Sequence, residues 1–135
     1  MSLVVDASVA VPWFWPLPES DRAEALLRSE EPLVAPEIVI AEIANVAWRA
    51  ATFEGLSLQT ANDAVRESTR FFSQLVPSML LKDRALAIAL ELRHPVYDCF
   101  YLALAEMRDI ELVTADRRLL RRCVNTPFAA RMKPL

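Results

Sequence analysis

The chain has 135 residues, of which 54% are hydrophobic and 24% charged, with a formal net charge of −3. That length is one domain's worth and that apolar share fills a sizeable core, so disorder is excluded as the main state. The single glycine, Gly55, excludes a P-loop or a dinucleotide fingerprint, and the single histidine, His94, excludes His-rich zinc sites and most His-centred triads.

In chain order, Leu3-Val4-Val5 reads as a short buried strand ending at Asp6. Ala7 to Phe14 begins as one or two helical turns, limited by Pro12. Trp13 to Pro18 is an apolar, proline-rich loop. Glu19 to Ser29 is an amphipathic helix with Ala23, Leu26 and Leu27 on one side. Leu33-Val34-Ala35 is a second strand. A long helix is expected from about Pro36 to Phe53, with proline at its first position and Gly55 at its end. Ser57 is a candidate N-cap for a helix reaching Phe72. Gln74-Leu75-Val76 is a weak strand before Pro77. Ser78 to Leu92 and Pro95 to Met107 are helical, Ile110 to Thr114 is the clearest strand, and Asp116 to Cys123 is helical again. Phe128 to Arg131 is a candidate last edge strand. Short apolar strands alternating with helices predict an α/β fold, a three-layer sandwich with a mostly parallel sheet of about five strands. There is no internal repeat and no linker, so residues 1–135 are expected to form a single domain.

Charge is unevenly spread. From Arg108 to Leu135 there are seven basic residues against three acids, while residues 19–42 are rich in Glu and Asp. Such asymmetry suits an acidic centre beside a basic rim. Cys99 and Cys123 lack metal-ligand spacing and read as reduced, buried thiols. The longest largely apolar stretch, Ala7 to Pro18, is too short to span a membrane and is broken by three prolines. Asp6 precedes it where a signal peptide would carry Lys or Arg, so a cytoplasmic location is expected.

Four carboxylates stand in unusual company. Asp6 and Asp116 each follow an apolar strand, at the sheet edge where ligands bind in open α/β folds. One such acid is commonly a helix N-cap; two from separate strands suggest a shared role. Glu42 interrupts the apolar stripe of its helix, with Ile38, Val39 and Val46 three or four residues away and Asn45 one turn on. Its plainer reading is a rim residue or a partner of Arg49. Asp98 heads an apolar face with Leu102 and Ala105 below it, and its plainer reading is an N-terminal helix charge. Two unit charges about 6 Å apart at an effective dielectric of about 20 repel by roughly 2.8 kcal/mol, so converging acids need protons or a divalent ion. Hard cations prefer such an oxygen-only site, and Ser8 and Thr114 offer further oxygens or order the carboxylates.

The segments "VVDASVAVPWF", "APEIVIAEIANVAWRA", "HPVYDCFYLALAE" and "LVTADRRL", in this order, resemble the motifs of PIN-domain toxins of the VapC type. The resemblance spans nearly the whole chain. It implies that the first and fourth strands are neighbours, bringing Asp6 and Asp116 together. It implies catalysis by Asp6, Glu42, Asp98 and Asp116, with Asp6, Asp98 and Asp116 as metal ligands. Glu42 would bind or orient the attacking water. Ser8, Asn45 and Thr114 would support them. The implied reaction is Mg²⁺- or Mn²⁺-dependent hydrolysis of RNA phosphodiesters by a toxin that a cognate antitoxin protein neutralises. A homodimer is implied too. Some members carry another acid just past the last motif; here Arg117, Arg118, Leu119 and Leu120 occupy that stretch, leaving open how a second ion would be held.

Arg117, Arg118, Arg121 and Arg122 form two i,i+4 pairs that suit RNA phosphates, or else a solvated helix surface. Trp13, Phe14 and Trp15 crowd one loop and are candidates for a partner interface, because two tryptophans so close cannot both point inward easily, or else for core packing alone. Tyr97, Phe100 and Tyr101 read as core and dimer packing, and His94 as a solvent-exposed turn residue. The competing functions are a non-catalytic PIN-like binding module, which would have lost acids, and a phosphotransferase of the haloacid dehalogenase type. The latter wants Asp where Ser8 stands.

Overall fold

Leu3–Val5 form the central strand, β1, of a five-stranded sheet in a computed structural model that describes residues 1–135. The others are β2 (Leu33–Pro36), β3 (Gln74–Val76), β4 (Leu112–Thr114) and β5 (Met132–Pro134), in the order β3-β2-β1-β4-β5. Every pairing is parallel, and β1 lies in register with β4 through Val4↔Leu112 and Val5↔Val113. All residues of β1, β2 and β4 are buried. Alternate side chains point to opposite faces, so both faces of the sheet are covered, as the α/β reading requires.

The helices are α1 (Ala7–Ala10), α2 (Ser20–Arg28), α3 (Ile38–Phe53), α4 (Leu58–Ser68), α5 (Ser78–Leu92), α6 (Val96–Arg108) and α7 (Arg117–Cys123). Helix α6 lies against β1, β2 and β4, α5 packs on α6, and α3 packs on α4. The core runs through Val4, Val5, Val39, Ile43, Ile88, Leu104, Leu112 and Leu119 without interruption. Ser57 caps α4 by accepting the Thr60 amide, and Gly55 lies beyond α3 at φ +76°, where a side chain would be strained. Two non-glycine residues, Arg93 and Asp109, end α5 and α6 in the left-handed conformation, each at φ 52°.

Three boundaries differ from expectation. Pro36 ends β2 instead of opening α3: the Val76 carbonyl takes its bond from Glu37, one residue on, so Pro36 is not needed as a donor to β3. The helix after Ser57 tightens into a 3₁₀ turn at Thr69–Phe71. The last strand is Met132–Pro134 and not Phe128–Arg131, because a 3₁₀ turn at Ala129–Arg131 carries the chain past the core-anchored Phe128 first.

The strand order reverses at β1. Chain connections leave it toward β2 on one side and return as β4 on the other. In open parallel sheets the crevice at the carboxyl ends of such a strand pair is the place where ligands fit. The residues at that point are Asp6, just after β1, and Ala115 and Asp116, just after β4.

Candidate active site

Asp6 is the only buried acidic or basic residue of the chain, with 7% of its surface exposed. It leaves β1 in an extended conformation, and its main-chain carbonyl starts α1 by accepting the amides of Val9 and Ala10. Its side chain is not spent on that cap. Ser8 Oγ donates to Oδ1 and Thr114 Oγ1 to Oδ2, each at 2.5 Å. The Ser8 hydroxyl in turn accepts the Ala115 amide at 2.9 Å, and Thr114 Oγ1 accepts the Asp116 amide at 3.0 Å. The two hydroxyls therefore tie the ends of β1 and β4 together around one carboxylate.

Two further acids reach the same place from helices. Glu42 projects from α3 and accepts a 2.5 Å hydrogen bond from the Tyr101 hydroxyl on α6. Asp98, in the first turn of α6, accepts from His94 Nε2 at 2.6 Å. Burial pushes the Asp6 carboxyl up to about 6, with the charges of Asp98 and Glu42 adding to it against the pull of the Ser8 and Thr114 hydrogen bonds. Burial also raises Glu42, opposed by the Tyr101 hydrogen bond and helped by Asp98. Tyr101 is raised well above its ordinary value by burial and by Glu42, so it stays a donor. Asp98 thus bears on both Asp6 and Glu42, and Glu42 on Asp6.

Asp116 is held differently. Its Oδ1 accepts the amides of Arg118 (2.9 Å) and Leu119 (3.3 Å), capping α7. No group of three or more His, Cys, Asp or Glu side chains is arranged to grip a single ion in this conformation. The reason is visible in the hydrogen bonds: each outer acid has turned one oxygen toward a protein donor. Yet each keeps its other oxygen free of protein partners, Oε2 of Glu42, Oδ1 of Asp98 and Oδ2 of Asp116. Uncompensated, neighbouring carboxylates around a buried one raise one another's proton affinity, which is the pressure a hard divalent cation relieves. In donor type the residues fit such an ion, and in position Asp116 is the outlier.

Of the supporting residues, Ser8 and Thr114 touch Asp6 directly. Asn45 lies beside Glu42 in a cleft of about 380 Å³ with an apolar wall that includes Ile38 and Val46. Two groups escaped the sequence reading. Tyr101 sits three residues after Asp98, on the same helix face, and was expected only to pack. His94, expected in solvent, has 8% of its side chain exposed and lies four residues before Asp98, the spacing at which helix-start side chains meet. Tyr97, expected in the core or at a dimer contact, is 65% exposed and lines the cleft beside Glu42, since its neighbours Cys99 and Tyr101 take the inward positions.

The loop aromatics are half-buried, in keeping with the core-packing alternative. Trp13 and Trp15 both pack against the core, with Trp13 donating from Nε1 to the Ala23 carbonyl and stacking near Phe71 and Phe72. A 3₁₀ turn at Val11–Trp13 separates the two side chains enough for both to face inward. Phe14 rests on Trp13 and Phe71. More strongly exposed large apolar residues include Trp48, Phe53 and Leu58 of the α3–α4 pair and Leu86 and Leu90 of α5. Cys99 and Cys123 are buried free thiols, and burial pushes Cys99 up to about 12, which leaves it protonated and inert. Arg118, Arg121 and Arg122 line a cavity with Arg93 and His94; Arg117 is exposed and lies outside it.

Known proteins share this fold. Residues 3–125 match the family model described as the PIN domain. The chain is 35% identical over 122 residues to a protein of Pyrobaculum aerophilum named Ribonuclease VapC3, covering 88% of this chain and 92% of that one. In fold it is similar to a crystal structure of a Pyrobaculum aerophilum protein (TM-score 0.72, 24% identity, 96% of this chain and 82% of the other). It is similar also to a toxin–antitoxin complex from Klebsiella pneumoniae (TM-score 0.66, 19% identity, 94% of each chain). A third likeness is to VapBC2 of Rickettsia felis bound to a promoter DNA fragment (TM-score 0.65, 12% identity, 100% of this chain and 99% of the other).

Proposed function

This chain belongs to the PIN-domain family, and on that premise we propose that it is a ribonuclease toxin of the VapC kind, neutralised by a cognate antitoxin protein. Its reaction is the hydrolysis of RNA phosphodiester bonds with a divalent cation, Mg²⁺ or Mn²⁺. The observation that carries the reading is Asp6: a lone buried carboxylate at the sheet's reversal point, under electrostatic load from Glu42 and Asp98. A protein gains nothing in stability from that load; it is the arrangement of a site that awaits a cation and a phosphate.

A bound divalent cation lowers the pKa of a water molecule and offsets charge developing on the phosphate and the leaving oxygen. Asp6 and Asp98 are the principal ligands in this reading. Asp116 would complete the set, since its helix cap uses Oδ1 alone. Glu42 orients the attacking water through Oε2 while Tyr101 holds Oε1. Ser8 and Thr114 fix the Asp6 carboxylate so that little reorganisation precedes the chemistry. No histidine base is required. The antitoxin and a second copy of the chain are the protein partners, and the exposed apolar residues of α3–α4 and α5 offer surface to them.

The deciding experiment is cleavage of RNA by the pure protein with Mn²⁺ or Mg²⁺, compared with Asp6→Asn and with excess chelator. Losses of at least about 100-fold in both comparisons are expected. Cleavage that persists in the variant or in chelator refutes the assignment.

A further inference from the structure

We propose that the cavity between the end of α5 and helix α7 is a subsite for a backbone phosphate of single-stranded RNA, next to the phosphate that is cut; this rests on the ribonuclease reading above. The cavity measures about 480 Å³ and is lined by Arg93, His94, Pro95, Arg118, Arg121 and Arg122. Four guanidinium groups thus converge with no carboxylate among them. The chain as a whole is acidic, and four of its nine other arginines, Arg66, Arg70, Arg84 and Arg131, each pair with an Asp or Glu. None of the four in the cavity does. Like charges gathered without a counterion repel, and an anion is what such a gathering suits.

The lining has an internal division of labour. Arg122 is committed to the fold, donating from Nε to the Leu92 carbonyl (2.5 Å) and from Nη2 to the Arg93 carbonyl (3.3 Å). These bonds satisfy the end of α5 and anchor α7 to it. Arg93, held at φ 52°, and Arg118 and Arg121, one turn apart on α7, remain exposed and unpaired. Those three are free to fork onto phosphate oxygens.

Location decides the ligand. His94 forms one wall and donates to Asp98 on its far side, and the Arg118 amide donates to Asp116. The positive cavity therefore abuts Asp98 through His94 and Asp116 through the start of α7. A cation-holding centre flanked by guanidinium groups matches a chain of phosphates and not an isolated anion. The cavity has no Phe, Tyr or Trp for a base to stack on, and its one ring, the His94 imidazole, is tied to Asp98, so charge on the backbone is what it grips.

Binding of a labelled single-stranded RNA in chelator, where nothing is cut, tests this across a salt series. The Arg118→Gln/Arg121→Gln double variant is expected to bind about tenfold or more weakly near 0.1 M salt and to flatten the log–log salt slope by about 1.4, while Arg66→Gln changes neither. Arg118→Lys/Arg121→Lys should restore the slope. In cleavage assays the Gln variant should raise KM. An unchanged slope in a variant that melts like wild type overturns the subsite and leaves the ribonuclease reading standing. A flattened slope in the Gln variant, together with a wild type that never cuts RNA, supports the phosphate site and refutes catalysis. If the variant loses only the antitoxin and binds RNA normally, the cavity belongs to a protein partner and the proposal fails.

Discussion

Thr114 and Asp6 meet across the β1–β4 pair, the threonine hydroxyl donating to Asp6 Oδ2 at 2.5 Å while accepting the Asp116 amide at 3.0 Å. One buried hydroxyl therefore serves two acids that come from different strands. Thr114→Val keeps the shape and removes both bonds. A buried group left without its partner costs roughly 1–3 kcal/mol, more when charged, so a loss on the order of 2–4 kcal/mol in unfolding free energy is expected. Activity should fall by at least about tenfold, and Thr114→Ser should recover most of it. A Val variant with wild-type stability and rate would show that this hydroxyl orders nothing.

Asp6 gives the metal-free protein a characteristic pH dependence. Its carboxyl titrates at about 6 in the folded state against 3.8 as an ordinary aspartate. Between those values the folded chain binds the proton and the unfolded chain does not, so stability is highest at the acid end and falls as pH rises through the window. Above it the charged form is a standing cost of about 3 kcal/mol. Asp6→Asn should therefore raise the apo Tm at pH 7 and gain progressively less toward pH 4. Mn²⁺ should raise the Tm of wild type and leave the variant's unchanged. Equal metal stabilisation of the two proteins would contradict this.

Tyr101 pulls the Glu42 carboxyl down, against the burial that pushes it up. Tyr101→Phe removes that pull. If Glu42 works ionised, the acid limb of the kcat/KM profile moves to higher pH, and the loss of rate is greatest at low pH and shrinks as pH rises. A uniform loss at every pH would mean that Tyr101 acts by packing alone.

Gly55 tests a purely structural element. It adopts φ +76°, and a methyl group there would meet no atom within 4 Å. The whole penalty of Gly55→Ala is then backbone strain, about 1 kcal/mol, with Gly55→Asn costing less. Denaturant midpoints of the three proteins should rank Gly, Asn, Ala, with RNA cleavage unaffected.

Much of this was legible because the strands are short and buried on both faces. Leu3–Val5 and Leu112–Thr114 carry no competing periodicity, and the acids after them fall at the sheet edge by simple counting. Glu42 and Asp98 were conspicuous because each breaks an apolar helix face. What could not be read is what those acids touch. Tyr101 lies 59 residues from Glu42, and no local rule links an α3 glutamate to an α6 hydroxyl. His94 was hidden by its proline neighbour, which marks a turn and so suggests solvent. The inward packing of both Trp13 and Trp15 depends on a 3₁₀ turn whose hydrogen bonds leave no sequence pattern. The helix cap of Asp116 was foreseen as its plainer role, and the structure shows it performing that role with one oxygen only.

The serine and threonine that hold Asp6 are separated along the chain by 106 residues. A nick in the backbone anywhere between them that lets the two parts separate leaves the Asp6 carboxylate with one hydroxyl partner in place of two, so the centre is intact only while distant stretches of chain stay docked on each other.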